Sequence, residues 1–439
     1  MSKSRSASQF ACARPAATAF ALIFLAILAM VGTAPAARAQ SFQVIHYFSG
    51  GADGATPAAG LTVDAAGKFY GTSNGVESGS NGTVFKLTSG GSGWTLAPLN
   101  NFHQGGGGAR PDSKVAIGPN GNLFGVTYLG GQGDCVGNGS CGVVYELQPP
   151  PRACASFLCS WTQIVLHQFN DLPDAGVPES DVIFDRSGSL YGTTQYGGSG
   201  ICFNSIHLNY GCGAVYKVTP SEGGWTETVI YNFQGGNDGQ MPWGGLISDA
   251  AGNLYGTTWT GGSADCGTIF ELSPSGGSWT ETVLYTFQCT EGAGPWGNLI
   301  ADQSGNLYGA AIVGGVNNGG VIFELSHPGS WTYNILYSFA RGSSPQGSLV
   351  LDGAGNLYGA TEAGGQHSYG TVYKLTLSNG SWMETDLHDF TGDSDGGDPN
   401  GGLVFDSAGN LYGTAEAGGT GFEGNCYAVG CGTIWEITP

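Results

Sequence analysis

Five carboxylates occupy one position of a pattern that recurs along the chain. Asp53, Asp174, Asp238, Glu291 and Asp395 each stand four residues before a proline, and Gly107 and Arg341 fill the same place before Pro111 and Pro345. Gathered at one rim, such an acidic ring would attract a divalent cation or a cationic ligand. Asp followed by Gly also makes a turn with no ligand at all. The residue after each proline varies: Ala58, Asp112, Glu179, Trp243, Trp296, Gln346, Asn400. A second variable position reads Asn74, Tyr128, Gln195, Trp259, Ile312, Glu362, Glu416. Trp243, Trp259 and Trp296, with Glu362 and Glu416, join the five acids as candidate ligand-binding residues. Indole faces beside carboxylates suit a sugar ring or another flat apolar face. Packing between loops is the competing explanation.

Other chemistry is sparsely marked. The run GDSDGGD at 392–398 has closely spaced carboxylates but lacks a complete EF-hand pattern. No cofactor is expected, and calcium is the one cation the acids suggest. No H-E-x-x-H or phosphate loop occurs. His46, His167 and His388 share a strand position that is Tyr in three other repeats, which reads as structural. His207 and His367 fall in loops without an evident partner.

The elements that must position these residues come from a repeat. The stretch AGNLYGTT at 251–258 has near-copies around Gly67, Gly121, Gly188, Gly305, Gly355 and Gly409, spaced 50 to 67 residues apart. Each unit resolves into four short strands. The first begins four residues after the proline and ends in a D-x-x-G turn in six copies. The second is the quoted stretch, and the third is GTIFEL or a variant of it. The fourth, such as WTETVLYTF, places a Trp eight residues before a closing Phe, which by strict alternation puts both on one face. Four antiparallel strands per unit is a propeller blade, so the fold class is all-β, a seven-bladed propeller. The segment after residue 40 reads as a fourth strand and the chain ends on a third, so the last blade closes with strands from both ends.

The first 39 residues lie outside the repeat. Lys3, Arg5 and Arg14 precede an apolar run from Ala16 to Val31 and the triplet Ala37-Arg38-Ala39, the layout of a signal peptide cut after Ala39. Residues 40–439 then form the propeller domain, secreted or periplasmic, monomeric, and without membrane insertion after cleavage. With four cations lost in the leader, 9 basic residues face 33 acidic ones. That balance repels phosphate backbones and excludes nucleic acid as a partner. Ten cysteines remain, an even set that reads as disulfides in an exported chain. Their local pairs are Cys135/Cys141, Cys154/Cys159, Cys202/Cys212, Cys266/Cys289 and Cys426/Cys431. Hairpin geometry sets Cys266 opposite Cys289, a link worth about 3 kcal/mol in the chain-entropy account.

The consensus D-G-x-x-P, L-x-x-D-x-x-G-N-L-Y-G-T-T, G-T-V-F-K-L resembles the Gloeo/Verruco tandem-repeat family, exported bacterial proteins also called GloVer or choice-of-anchor repeat proteins. The resemblance covers all seven units. It implies export, and it brings no activity and no catalytic residues to carry over. Many members end in an anchoring tail, whereas this chain stops at Pro439, which suggests release instead of anchorage. Two classes of function follow. One is a binding module for glycan or cell-surface material. The other is a lyase or hydrolase at the channel mouth, using a divalent metal held by the acidic ring.

Overall fold

The seven-fold octet has a local physical cause. In the computed structural model, the aspartate of each D-x-x-G turn is the hub of its hairpin. The structure describes residues 40–438 apart from 76–80, 92, 104, 134, 136–139, 152–159, 171, 204–208, 328, 420–425 and 427–429. The leader, the Cys154/Cys159 pair and His207 lie outside the described residues. Asp249 Oδ1 accepts the N–H groups of Ala251 and Asn253, each at 2.9 Å, while Oδ2 accepts the Tyr255 hydroxyl at 3.2 Å. Asp302, Asp352 and Asp406 repeat this with Tyr308, Tyr358 and Tyr412. The exception proves the pairing: the second unit has Gly118 in place of the aspartate and Phe124 in place of the tyrosine. Gly252, at φ 90°, supplies the left-handed turn residue. The glycine of N-L-Y-G answers a different need. A methyl on Gly309 would lie 2.5 Å from the Phe323 ring, because the third strand's aromatic covers that backbone.

These hairpins build seven four-stranded antiparallel sheets. In the fourth blade the strands are Ile247–Ser248, Leu254–Thr258, Thr268–Ser275 and Ser278–Thr286, in spatial order. The seventh blade is completed by Ser41–Tyr47, which pairs antiparallel with Thr433–Thr438. The ring therefore closes through both ends of the compact unit Ser41–Thr438, leaving no free edge at the seam. Each interface between consecutive blades holds one buried apolar cluster. The seam between the seventh and first blades is no weaker, with Phe48, Phe69, Phe85, Tyr412 and Ile434.

The fourth strands depart from strict alternation. In every blade the pairing of third and fourth strands slips by one residue, for example between Val215 and Tyr216, so Ile230 is an extra residue. The extra residue is aliphatic in all seven copies: Ile45, Leu99, Leu166, Ile230, Leu284, Leu336 and Leu387. A bulge re-phases the strand. As a result Trp and the closing Phe do not share a face. Trp225 packs into the interface with the preceding blade, and Phe233 packs into the interface with the following one. One strand thus ties two interfaces, and each fully buried Phe contributes about 2 to 3 kcal/mol.

Among the described residues, four disulfides join Cys135–Cys141, Cys202–Cys212, Cys266–Cys289 and Cys426–Cys431, with Cα separations of 5.0 to 5.3 Å. Such bonds belong to an oxidising compartment. Among the described residues no helix is long and apolar enough to cross a membrane.

Candidate functional site

The first strand of each blade lines the central channel, and alternation stacks its side chains in layers. The loop before it pairs with the loop between second and third strands, as in the Gln240–Thr260 and Gly397–Ala417 bridges. Both loops therefore rise on one face, and the residue after each proline sits at the mouth there.

Two positions further in lies a second layer: Gly60, Lys114, Asp181, Gly245, Asn298, Ser348, Gly402. It forms a polar plug. Lys114 Nζ lies 3.4 Å from Asp181 Oδ2, which also accepts the Asn298 amide at 2.8 Å from across the channel. Ser348 Oγ accepts the backbone N–H of Asn298 at 3.1 Å. The glycines let the backbones close in, since a methyl on Gly60 would meet the Gly402 carbonyl oxygen at 2.0 Å. Beyond the plug, a cavity of about 420 Å³ is walled by apolar side chains such as Ile183, Ile247, Ile300 and Val350.

The mouth above the plug is lopsided. On the fourth and fifth blades Trp243, Trp259 and Trp296 form one cluster, with ring centroids 4.3 to 5.2 Å apart. They touch one another, so packing between loops is realised, and their partly exposed faces make a continuous aromatic floor. The other blades supply carboxylates. Burial pushes Asp112 up to about 7, with Arg110 opposing and Glu416 adding to the rise. Burial pushes Glu179 up to about 8, with Asp112 adding, and Arg110 and the Trp243 indole opposing. Glu362 and Glu416 are also raised, chiefly by burial, with Asp398 adding to both. Glu362 accepts the Gln346 amide, and Glu416 accepts the Asn400 amide at 2.7 Å. Arg110 lies over the Tyr128 ring at 4.6 Å and 3.4 Å from Asp112. Four mouth residues carry buried polar atoms with no hydrogen-bond partner of ordinary geometry: Asn74 Oδ1, Asp112 Oδ1, Trp243 Nε1 and Asn400 Oδ1.

The five acids before the prolines are placed elsewhere. Each folds back on its own loop and meets the fourth strand, the outermost of its blade. Asp238 accepts the Gln234 N–H at 2.8 Å and the Tyr231 hydroxyl at 3.1 Å. Asp395 accepts the Thr391 N–H and faces His388 Nε2 at 3.0 Å, and Asp53 repeats this with Ser49 and His46. Glu291 accepts the Tyr285 hydroxyl. Asp174 accepts the Asn170 N–H at 3.1 Å, with His167 beside it. The three histidines thus serve the turn, as their strand position suggests. The structure brings Trp243, Trp259 and Trp296 together, sets Glu362 and Glu416 near Asp398, and spreads the five acids around the rim.

The Gloeobacter/Verrucomicrobia repeat matches residues 34–205 and 201–427. The chain belongs to this family. No curated protein matches it by sequence. Among solved structures, a protein from Lactobacillus plantarum is 16% identical, with 77% of this chain and 86% of that one covered at a TM-score of 0.49. A proposed 6-phosphogluconolactonase from Bacteroides fragilis is 14% identical, covering 82% and 89% at 0.49. A gluconolactonase from Xanthomonas campestris is 12% identical, covering 73% and 85% at 0.39. At such identities and scores no chemistry passes to this Gloeobacter/Verrucomicrobia repeat protein.

Sequence reasoning lists Asp112 and Glu179 only as variable residues and misses the plug altogether. The signal for the plug was available. Its position alternates with the buried leucines of the first strand, and it reads Lys, Asp, Asn and Ser where the other copies have Gly.

Proposed function

We propose that this protein is an exported binding module that takes a carbohydrate at the channel mouth. The observation that carries this reading is a mouth that pairs an aromatic floor on the fourth and fifth blades with buried, unpartnered polar atoms on Asn74, Asp112 and Asn400 of other blades. A sugar ring stacks its apolar face on indole and offers hydroxyls to just such donors and acceptors. Near neutral pH Glu179 is largely protonated, so it donates a hydrogen bond to a ligand oxygen instead of gripping a cation. The five outer acids already serve their own loops, which favours binding without calcium. The plug limits entry, so the ligand rests on the mouth and does not thread the channel. Export is supported by the disulfides and the leader-like first 39 residues.

A glycan array probed with the purified protein, with and without calcium, tests the reading. Trp243→Ala with Trp296→Ala is expected to weaken a hit by about 2 to 4 kcal/mol while the fold survives. If the array gives no hit, or the double variant binds as tightly as the parent, the mouth is not the site.

A further inference from the structure

At the rim of the ring, the residue two before each closing Phe faces the next blade's fourth strand. Most of these meetings satisfy themselves. Asn100 donates to Gln163 at 3.1 Å, Tyr285 stacks on Tyr333 at 4.1 Å, the Tyr337 hydroxyl donates to Glu384, and His388 stacks on Phe42 at 3.5 Å. Three meetings contain a histidine, and they form an internal comparison. In two of them the imidazole bonds the acid of its own loop, His46 to Asp53 at 3.3 Å and His388 to Asp395 at 3.0 Å. The next blade there offers Leu96 and Phe42, neither of which can ligate.

The meeting of the second and third blades differs. The next blade offers Glu227, and His167 Nε2 stands 3.6 Å from Asp174 Oδ2, beyond hydrogen-bond distance. Nε2 of His167 and Oε1 of Glu227 are both shut off from water and have no hydrogen-bond partner. The three donor atoms lie within 4.8 Å of one another. Glutamate also stands at this position in Glu281 and Glu384, but only Glu227 meets a histidine, and there the histidine–acid bond has been given up.

We infer that His167, Asp174 and Glu227 bind one divalent ion of the zinc class in the groove between the second and third blades. One imidazole nitrogen and two carboxylate oxygens form a donor set that zinc accepts, leaving a fourth place for water. An ion about 2.1 Å from each donor would hold them roughly 3.4 Å apart, a small inward swing from their present spacing. Their supports are in place. The His167 ring meets Phe169 edge-on at 4.7 Å. Asp174 is oriented by the backbone N–H groups of Asn170 and Ala175, at 3.1 and 2.9 Å. Such outer contacts fix ligands ahead of the metal. The groove remains reachable, since the side chains of His167 and Asp174 are 20% and 19% exposed. The rival arrangement is His167 between the two carboxylates with no metal.

The test uses the whole mature protein with disulfides intact and free thiols alkylated. It is stripped with EDTA, then titrated with Zn²⁺ by calorimetry and with Co²⁺ in the visible spectrum. One equivalent of Zn²⁺ is expected, with the absorption band of four-coordinate Co²⁺. His167→Asn and Glu227→Gln should each weaken Zn²⁺ at least tenfold, while His46→Asn leaves it unchanged. A parent protein that takes up no stoichiometric Zn²⁺ overturns the inference, as do variants that bind like the parent. Should a variant fail to fold, the parent's Zn²⁺ stoichiometry and Co²⁺ band decide alone. Because the groove lies outside the mouth, glycan binding can fail while this site stands, and the reverse.

Discussion

The hairpin framework and the channel mouth are built from the same seven repeats, yet they behave as opposites. In the hairpin turns the polar groups are committed. Each aspartate binds two backbone N–H groups and a tyrosine hydroxyl, and where the aspartate is missing at Gly118 the tyrosine is missing too, at Phe124. At the mouth no one residue type is shared by all seven blades, carboxylates lie near one another, and polar atoms lack partners. The difference teaches where selection for folding ends. Repeated positions answer local backbone needs, and a position freed from them can hold groups that cost stability.

Three changes would break or sharpen that contrast. The largest effect belongs to the framework. Gly309→Ala forces a methyl against the Phe323 ring and should lower stability by about 2 to 3 kcal/mol, read by denaturant unfolding. A loss below about 0.5 kcal/mol would show that the framework is looser than its repetition implies.

The second concerns the mouth and has the opposite sign. The Glu179 carboxyl sits at about 8 in the fold, above its unfolded value near 4.5. The folded state therefore holds the proton more tightly. Its contribution is full below about pH 4.5 and is lost as pH rises through 8. Glu179→Gln keeps the neutral form, so it should match the parent at pH 4 and be the more stable protein at pH 9. Equal pH profiles for the two proteins would show that the carboxyl is not buried as described.

The smallest effect tests the covarying pair. Gly118→Asp alone should destabilise, since even a methyl there meets the Phe124 ring at 2.6 Å. Adding Phe124→Tyr should recover about 1 kcal/mol of coupling in a double-mutant cycle. Strictly additive changes would show that the aspartate–tyrosine bond contributes nothing to the hairpin.

The sequence by itself determined the blade count, the closing strand from the chain's start and the pairing of Cys266 with Cys289. All three rest on short-range periodicity and on hairpins that join neighbours in the chain. It misjudged the face of the fourth-strand tryptophans, because the bulge at Ile230 and its six counterparts breaks the two-residue alternation. The aliphatic residue out of phase in every copy was the sign of it. Only the tertiary structure decided the candidate site. Asn298 reaches Asp181 across 117 positions of sequence, and Asp112 feels Glu416 from the far end of the chain. No spacing rule links such residues, since the ring sets them side by side through closure alone. Charge state follows the same logic. A carboxylate's pKa is set by the water it loses and the charges it meets, and both belong to the folded ring. Residue type alone therefore could not distinguish Asp238, committed to its own loop, from Glu179, whose carboxyl is pushed up to about 8 by burial at the mouth.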